Sequence, residues 1–197
     1  MKKLYWMILL FVAFAGMAAA QVPQPFSLYA GGAVSIPQAP DEFKSGFKTG
    51  YHGSIGIGYK VMPNLQVIGK VEYHTFKFDF QSVSGFEGGT NKMLLYGADG
   101  RYTVGVPAAP LKPYIIGGAG LASIKQSEFS GSDPLATSIL NSVIPENQTK
   151  FYYNIGGGVE LKSGPAWSMY AQVRYVSIAT EGETSSFVPI TLGLKFF

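Results

Sequence analysis

Residues 167–175 read Trp167-Ser168-Met169-Tyr170-Ala171-Gln172-Val173-Arg174-Tyr175. Trp167, Met169, Ala171, Val173 and Tyr175 alternate with Ser168, Tyr170, Gln172 and Arg174, and a period of two separates the two sets onto opposite faces of an extended strand. The segment just upstream repeats the pattern, with Phe151, Tyr153, Ile155, Val159 and Leu161 opposite Tyr152, Asn154, Gly156, Gly158 and Glu160. So does the segment downstream, where Val188, Ile190, Leu192, Leu194 and Phe196 oppose Thr191, Gly193 and Lys195. Clusters of Gly, Pro, Ser and Asn separate the segments, which predicts antiparallel strands joined by turns.

Five further segments lie nearer the amino terminus. Phe26 to Ile36 sets Phe26, Leu28, Ala30, Val34 and Ile36 against Ser27, Tyr29, Gly31 and Ser35; Gly50 to Val61 sets Ile55, Ile57, Tyr59 and Val61 against His52, Ser54 and Lys60. Lys92 to Val104 sets Leu94, Tyr96, Ala98, Tyr102 and Val104 against Gly97, Asp99, Arg101 and Thr103, whereas Lys112 to about Lys125 is glycine-rich and its phase is ambiguous. From Leu65 onward, Val67, Val71 and Tyr73 oppose Gln66, Lys70, Glu72 and His74. Phe76, Phe78 and Phe80 then occupy the polar register, which predicts a bulge or a strand end projecting beyond the region where alternation is enforced. The total is eight strands. Links 62–64, 105–111 and 162–166 are short, and 37–49, 81–91, 130–149 and 179–186 are longer, so tight turns gather at one end and long loops at the other.

Composition narrows the class. Charged residues make up 14% of the chain, against about 25% in ordinary soluble domains. With 47% hydrophobic residues the chain is not disordered either. The absence of cysteine removes disulfides, thiolate metal sites and cysteine nucleophiles. Lys2 and Lys3 precede an apolar stretch from Leu4 to Met17 and then Ala18-Ala19-Ala20, the pattern of a secretory signal peptide cleaved after Ala20. That stretch is shorter than the roughly 20 residues of a membrane-spanning helix. Residues 21–197 are then the expected mature domain. Loss of Lys2 and Lys3 leaves 13 basic against 12 acidic side chains, a net charge of +1, and no electrostatic case for nucleic acid.

Alternation does not by itself say which face is wet. A soluble, lipocalin-like barrel would turn its apolar face inward and needs a charged exterior, which this chain cannot supply. The other solution is a transmembrane barrel, whose apolar face meets lipid and whose narrow interior is filled by side chains. Lys60, Lys70, Arg101, Arg174 and Lys195 are then expected to pair with Glu72, Asp99 and Glu160 in the lumen. Large rings on the apolar face cluster at strand ends: Phe26, Tyr59, Tyr102, Trp167 and Phe196 near the short turns, Tyr73, Phe151, Tyr153 and Tyr175 toward the long loops. Two such levels are expected to form aromatic girdles at the bilayer interfaces.

With these features in place, the chain resembles the small eight-stranded outer-membrane β-barrel family that includes the OmpA transmembrane domain, OmpX and NspA. The closing segment Ile190-Thr191-Leu192-Gly193-Leu194-Lys195-Phe196-Phe197 is the most specific element of the likeness, although Phe197 is out of phase with Leu192, Leu194 and Phe196. The resemblance implies an all-β, up-and-down transmembrane barrel with short periplasmic turns and longer extracellular loops, resident in a Gram-negative outer membrane. It also implies recognition of the last strand by the barrel-assembly machinery, contact with outer-membrane lipid and lipopolysaccharide, and no cofactor. The peptidoglycan-binding module of full-length OmpA-like proteins is not expected.

Three chemical readings compete with a display role. His52-Gly53-Ser54 puts a base and a nucleophile on one strand face, but no carboxylate beside them orients the histidine. Some outer-membrane lipid A deacylases resemble this in using a His-x-Ser pair, so a lipid-modifying enzyme is the first alternative. A narrow channel or small-solute carrier is the second. A metal site would have to draw on His52, His74 and scattered carboxylates, which do not define one. The Gly56-x-Gly58, Gly118-x-Gly120 and 156–158 glycine clusters precede no helical pattern, so they are expected to serve close packing rather than phosphate binding. In the third long loop, Ser132-Asp133-Pro134 resembles a helix start, and Leu135, Ile139, Leu140, Val143 and Ile144 recur at helical spacing up to Pro145. That short amphipathic helix is expected to cap the barrel mouth or lie against the outer leaflet, or else to contact a host or envelope partner. The favoured expectation is a non-enzymatic structural or surface-interaction protein.

Overall fold

The computed structural model describes residues 25–79, 86–105, 110–131, 134–142, 147–179 and 184–197; the expected signal segment and Phe80 lie outside them. Eight long strands form the wall: β1 (Phe26–Ala39), β2 (Gly50–Met62), β3 (Leu65–Phe76), β5 (Asn91–Thr103), β6 (Leu111–Gln126), β8 (Gln148–Lys162), β9 (Trp167–Ala179) and β10 (Thr184–Phe196). They close in the order β1-β10-β9-β8-β6-β5-β3-β2, with every neighbouring pair antiparallel. Strands of 12 to 16 residues exceed the 9–11 that a tilted strand needs to cross a bilayer, so the wall continues past the hydrocarbon. Among the described residues no helix is long and apolar enough to cross a membrane.

The barrel is apolar outside and polar inside. Ile57, Ile155 and Leu192 are 58%, 66% and 62% exposed, whereas Asp99, Glu160 and Arg174 are 2%, 1% and 1% exposed. A barrel in water would reverse this, because exposed apolar surface on such a scale is unfavourable there. Each wall strand is paired along both of its edges by neighbouring strands, the condition for crossing hydrocarbon without a free sheet edge.

Of the two outcomes expected for the third strand, the structure shows no bulge and a strand end at Phe76. β3 pairs β5 without a register shift from Leu65↔Tyr102 to Phe76↔Asn91, so the alternation does not invert. Phe76 simply continues the inward series of Gln66, Ile68, Glu72 and His74 and is fully buried. The inner face changes chemistry, not the strand. β1 likewise runs past Ile36, with a register shift between Pro37 and Ala39, a place where proline's missing N–H is tolerated. In the glycine-rich β6, whose phase the sequence leaves open, Tyr114, Ile116 and Ala122 are buried on the inner side.

Glycine matters most where the wall meets the large lumen ring of Tyr152. Gly97 and Gly120 face each other across β5 and β6, and a Cβ on Gly120 would lie 2.7 Å from Gly97 Cα and 2.8 Å from Tyr152 Cε1. No rotamer change relieves a clash with backbone. Gly120→Val is therefore expected to prevent closure of the wall. On unboiled detergent gels the variant should lose the compact, heat-modifiable band of the folded barrel, whereas Gly69→Ala, whose nearest neighbour would be 4.0 Å away on the outer face, should keep it.

Candidate functional site

Layers of side chains from several strands fill the lumen. At the short-turn end, a cavity of about 140 Å³ is lined by Ser27, Lys60, Gln66, Lys112, Glu160 and Lys195, among others. Above it Glu160 receives Arg101 and, at 3.3 Å, Lys195. The Arg101 guanidinium lies 3.8 Å from the centre of the Tyr114 ring and donates to Tyr29 Oη at 3.1 Å, while Tyr29 donates to Gln66. The next layer joins Lys70, Glu72, Asp99 and Arg174. Lys70 Nζ is 3.1 Å from Glu72 and 2.8 Å from Asp99, and Arg174 binds Glu72 and approaches Asp99 at 3.8 Å. Asn154 donates to the other oxygen of Asp99 at 2.8 Å. Two cations and two anions make this layer neutral, and a cavity of only about 40 Å³ separates it from the Arg101 layer.

Higher still, His52 and His74 stack with ring centres 5.0 Å apart. The Ser35 hydroxyl is 3.1 Å from Nδ1 of His52 and 2.9 Å from Nδ1 of His74, and His52 Nε2 is 3.0 Å from Thr191 Oγ1. Beyond the histidines the lumen turns apolar: Phe76, Met93, Leu95, Val176, Ile178 and Phe187 form a stopper with Tyr152 and Ala122. Phe43, from the short helix α1 (Asp41–Gly46), drops onto it with its ring 5.1 Å from Phe76. Sequence reading expects a polar lumen throughout and misses this stopper. The signal was present in Met93 and Leu95, which share the register of Asp99 and Arg101.

Seven of the eight expected lumen charges lie in these two ion clusters. Lys60 is the exception: it is exposed at the cavity mouth and joins neither. Its strand ends there, so the long side chain reaches water instead of a carboxylate. The nine expected girdle residues all stand on the outer face; Phe26 and Tyr59 are cross-strand partners with ring centres 5.1 Å apart, and Phe196 is opposite Trp167. Tyr51 and Tyr96 are exposed outward rings that the sequence reading leaves out of the upper group.

The long-loop end carries further ordered structure. Two short strands, β4 (Phe86–Gly88) and β7 (Phe129–Gly131), pair outside the wall, and α2 (Pro134–Ser142) follows β7. The Asn141 side chain clasps Phe129 at both backbone groups, accepting from its N–H at 2.8 Å and donating to its carbonyl at 3.1 Å. Phe78 contacts both Phe47 and Phe129, with ring centres 5.4 and 5.5 Å apart, which links the first three long loops. Leu135 and Ile139 are exposed on α2, while Val143, Ile144 and the side chain of Leu140 lie outside the described residues.

Comparison with known proteins agrees with this geometry. The model of the outer membrane protein beta-barrel domain matches residues 7–196. The chain belongs to this family. It is therefore an outer-membrane β-barrel protein of bacteria, and the exposed apolar wall is its lipid-facing surface. No curated protein sequence matches the chain. Among solved structures, this outer-membrane barrel is similar to Neisserial surface protein A, at 19% identity and a TM-score of 0.60 over 87% of this chain and 96% of that one. It is also similar to Ail of Yersinia pestis, at 19% identity and 0.53 over 87% and 96%, and to OprG of Pseudomonas aeruginosa, at 13% and 0.53 over 87% and 94%. At these identities the likeness is one of fold.

Arg174 is the centre of the neutral ion layer. Removing its guanidinium leaves two buried carboxylates to a single lysine, and breaking such a buried cluster typically costs about 3–5 kcal/mol. Arg174→Met is expected to lower the urea midpoint of the barrel in detergent micelles accordingly. Lys60→Met, outside the cluster, should leave that midpoint nearly unchanged.

Proposed function

We propose that this outer-membrane barrel is a non-enzymatic scaffold that displays its long loops outside the cell for structural or surface contacts. The observation that carries this reading is the sealed lumen: two ion layers, a histidine pair and an aromatic stopper lie one above another along the axis. A path for solutes would have to break several buried charge pairs at once, each truncation of which costs kilocalories. Interactions with other molecules therefore fall to the outer surface. The loops suit that task because they are linked to one another through Phe47, Phe78 and Phe129, and because α2 turns Leu135 and Ile139 outward. Exposed apolar side chains above a rigid base offer a host or envelope protein a contact of low ordering cost.

The enzyme reading finds less support. Ser54 donates to the Gly31 carbonyl at 3.3 Å, while the partners of His52 are Ser35 and Thr191. The histidine is thus held away from the role of base to Ser54, and both side chains face the lumen where no acyl chain reaches. An amino-terminal signal peptide cleaved after Ala20 and insertion by the assembly machinery through β10 complete the proposal.

Purified protein in planar bilayers is expected to stay electrically silent over a range of applied voltages; steady single-channel steps would overturn the scaffold reading in favour of a pore. Ser54→Ala expressed in the producing cell should leave the lipid A acylation pattern unchanged, and a changed pattern would restore the enzyme.

A further inference from the structure

Near the short-turn ends of three strands the inward register holds a lysine: Lys60 on β2, Lys112 on β6 and Lys195 on β10, all lining the cavity of about 140 Å³. In the closed order β1-β10-β9-β8-β6-β5-β3-β2, two strands separate β10 from β6, two separate β6 from β2 and one separates β2 from β10. The three stems therefore enter the bore from three sides. Glu160 is the single carboxylate side chain in the cavity lining, and it is already shared, by Arg101 from the layer above and by Lys195 at 3.3 Å. Lys112 is the cross-strand partner of Glu160, yet among the described residues no ion pair engages Lys112 or Lys60. The turns 62–64, 105–111 and 162–166 contain no Asp or Glu that could supply another anion. Arg101, Lys195, Lys112 and Lys60 against Glu160 leave three positive charges at this mouth.

Size and donor chemistry decide what such a mouth accepts. A cavity of about 150 Å³ admits a molecule the size of benzene, so one of about 140 Å³ takes a phosphate group and little more. Like charges converging on a narrow bore repel one another, and an anion held between them turns that repulsion into attraction. Ammonium groups act as point charges with no preferred plane, which suits a tetrahedral oxyanion; a planar carboxylate is better matched by the fork of an arginine, and the Arg101 fork is committed to Glu160. The remaining polar lining supplies donors. Ser27 and Thr103 bring hydroxyls, and Gln66 accepts from Tyr29 through its carbonyl oxygen, which leaves its NH₂ group to donate.

We infer that the short-turn mouth of the lumen is a binding site for a phosphate dianion, free or carried by a small monoester, held between Lys60, Lys112 and Lys195. With the long loops outside, as proposed, the site opens to the periplasm. It goes beyond loop display and stands or falls independently of it.

The test is calorimetric titration of the full barrel, in micelles of a nonionic, phosphorus-free detergent at low ionic strength, with inorganic phosphate and separately with glycerol 3-phosphate. The expected result is saturable binding of one equivalent, with acetate producing none. Binding of the inorganic ion alone identifies free phosphate as the ligand, and tighter binding of glycerol 3-phosphate identifies a monoester. The double variant K60Q/K112Q keeps Glu160 paired with Arg101 and Lys195, so it should retain the heat-modifiable band and bind about tenfold more weakly. K92Q/K125Q removes the same charge from exposed positions at the other end of β5 and β6 and should bind as the unmodified protein does. Absence of saturable binding by the unmodified protein with both probes would overturn the site without recourse to any variant. So would a folded K60Q/K112Q that binds as before, or an equal loss in K92Q/K125Q, which would trace the binding to net charge alone.

Discussion

Pairing of the first strand with the last is the constraint on which the structure depends. β1 and β10 run together from Leu28↔Phe196 to Ala39↔Ser186, joining residues more than 140 positions apart in the chain. Without that ladder the sheet would present two rows of unpaired N–H and C=O groups to hydrocarbon, where no water can satisfy them. Closure also fixes the interior. Eight strands leave a bore just wide enough for side chains, so whatever points inward must either fill space or neutralise a neighbour. The ion layers answer the second demand. Gly97, Gly120 and the buried ring of Tyr152 answer the first.

Those demands explain how the lumen is graded. Charges buried in a low-dielectric bore persist only when paired and hydrogen-bonded, and Glu72, Asp99 and Glu160 each have at least one cationic partner within reach. Near the long loops the strands supply Phe76, Met93, Leu95 and Phe187 instead, and the histidine pair marks the change. His74 belongs to both regimes: its Nδ1 meets Ser35, while its ring packs edge-on against Phe187 at 4.8 Å.

Much of this was legible in the sequence because a period of two has one physical meaning in a wall wetted on one side only. The outward sets of β2, β8, β9 and β10 could be read directly, and so could the seven ion-cluster residues, since a charge in the inward register had nowhere else to go; Lys60, at the mouth, had water. What could not be read has identifiable causes. The phase of β6 is silent over 117–120, where glycine and alanine give no polarity contrast. The run of Phe76, Phe78 and Phe80 reads as a bulge or a strand end because the expected lumen is uniformly polar; the apolar stopper takes Phe76 inward with no shift of register. The pairing of β4 with β7 joins two three-residue segments from different loops, too short for any periodicity to show.

The axial order of the lumen has a directional consequence. With the long loops outside, as proposed, the stopper lies toward the surroundings and the cavity beside Lys195 and Glu160 toward the periplasm, so the molecule has the form of a thimble with its mouth toward the cell. Ions and protons of the periplasm reach the lowest charge pair directly. Those of the surroundings meet greasy rings first, and the interior electrostatics of the barrel answer to the compartment behind it.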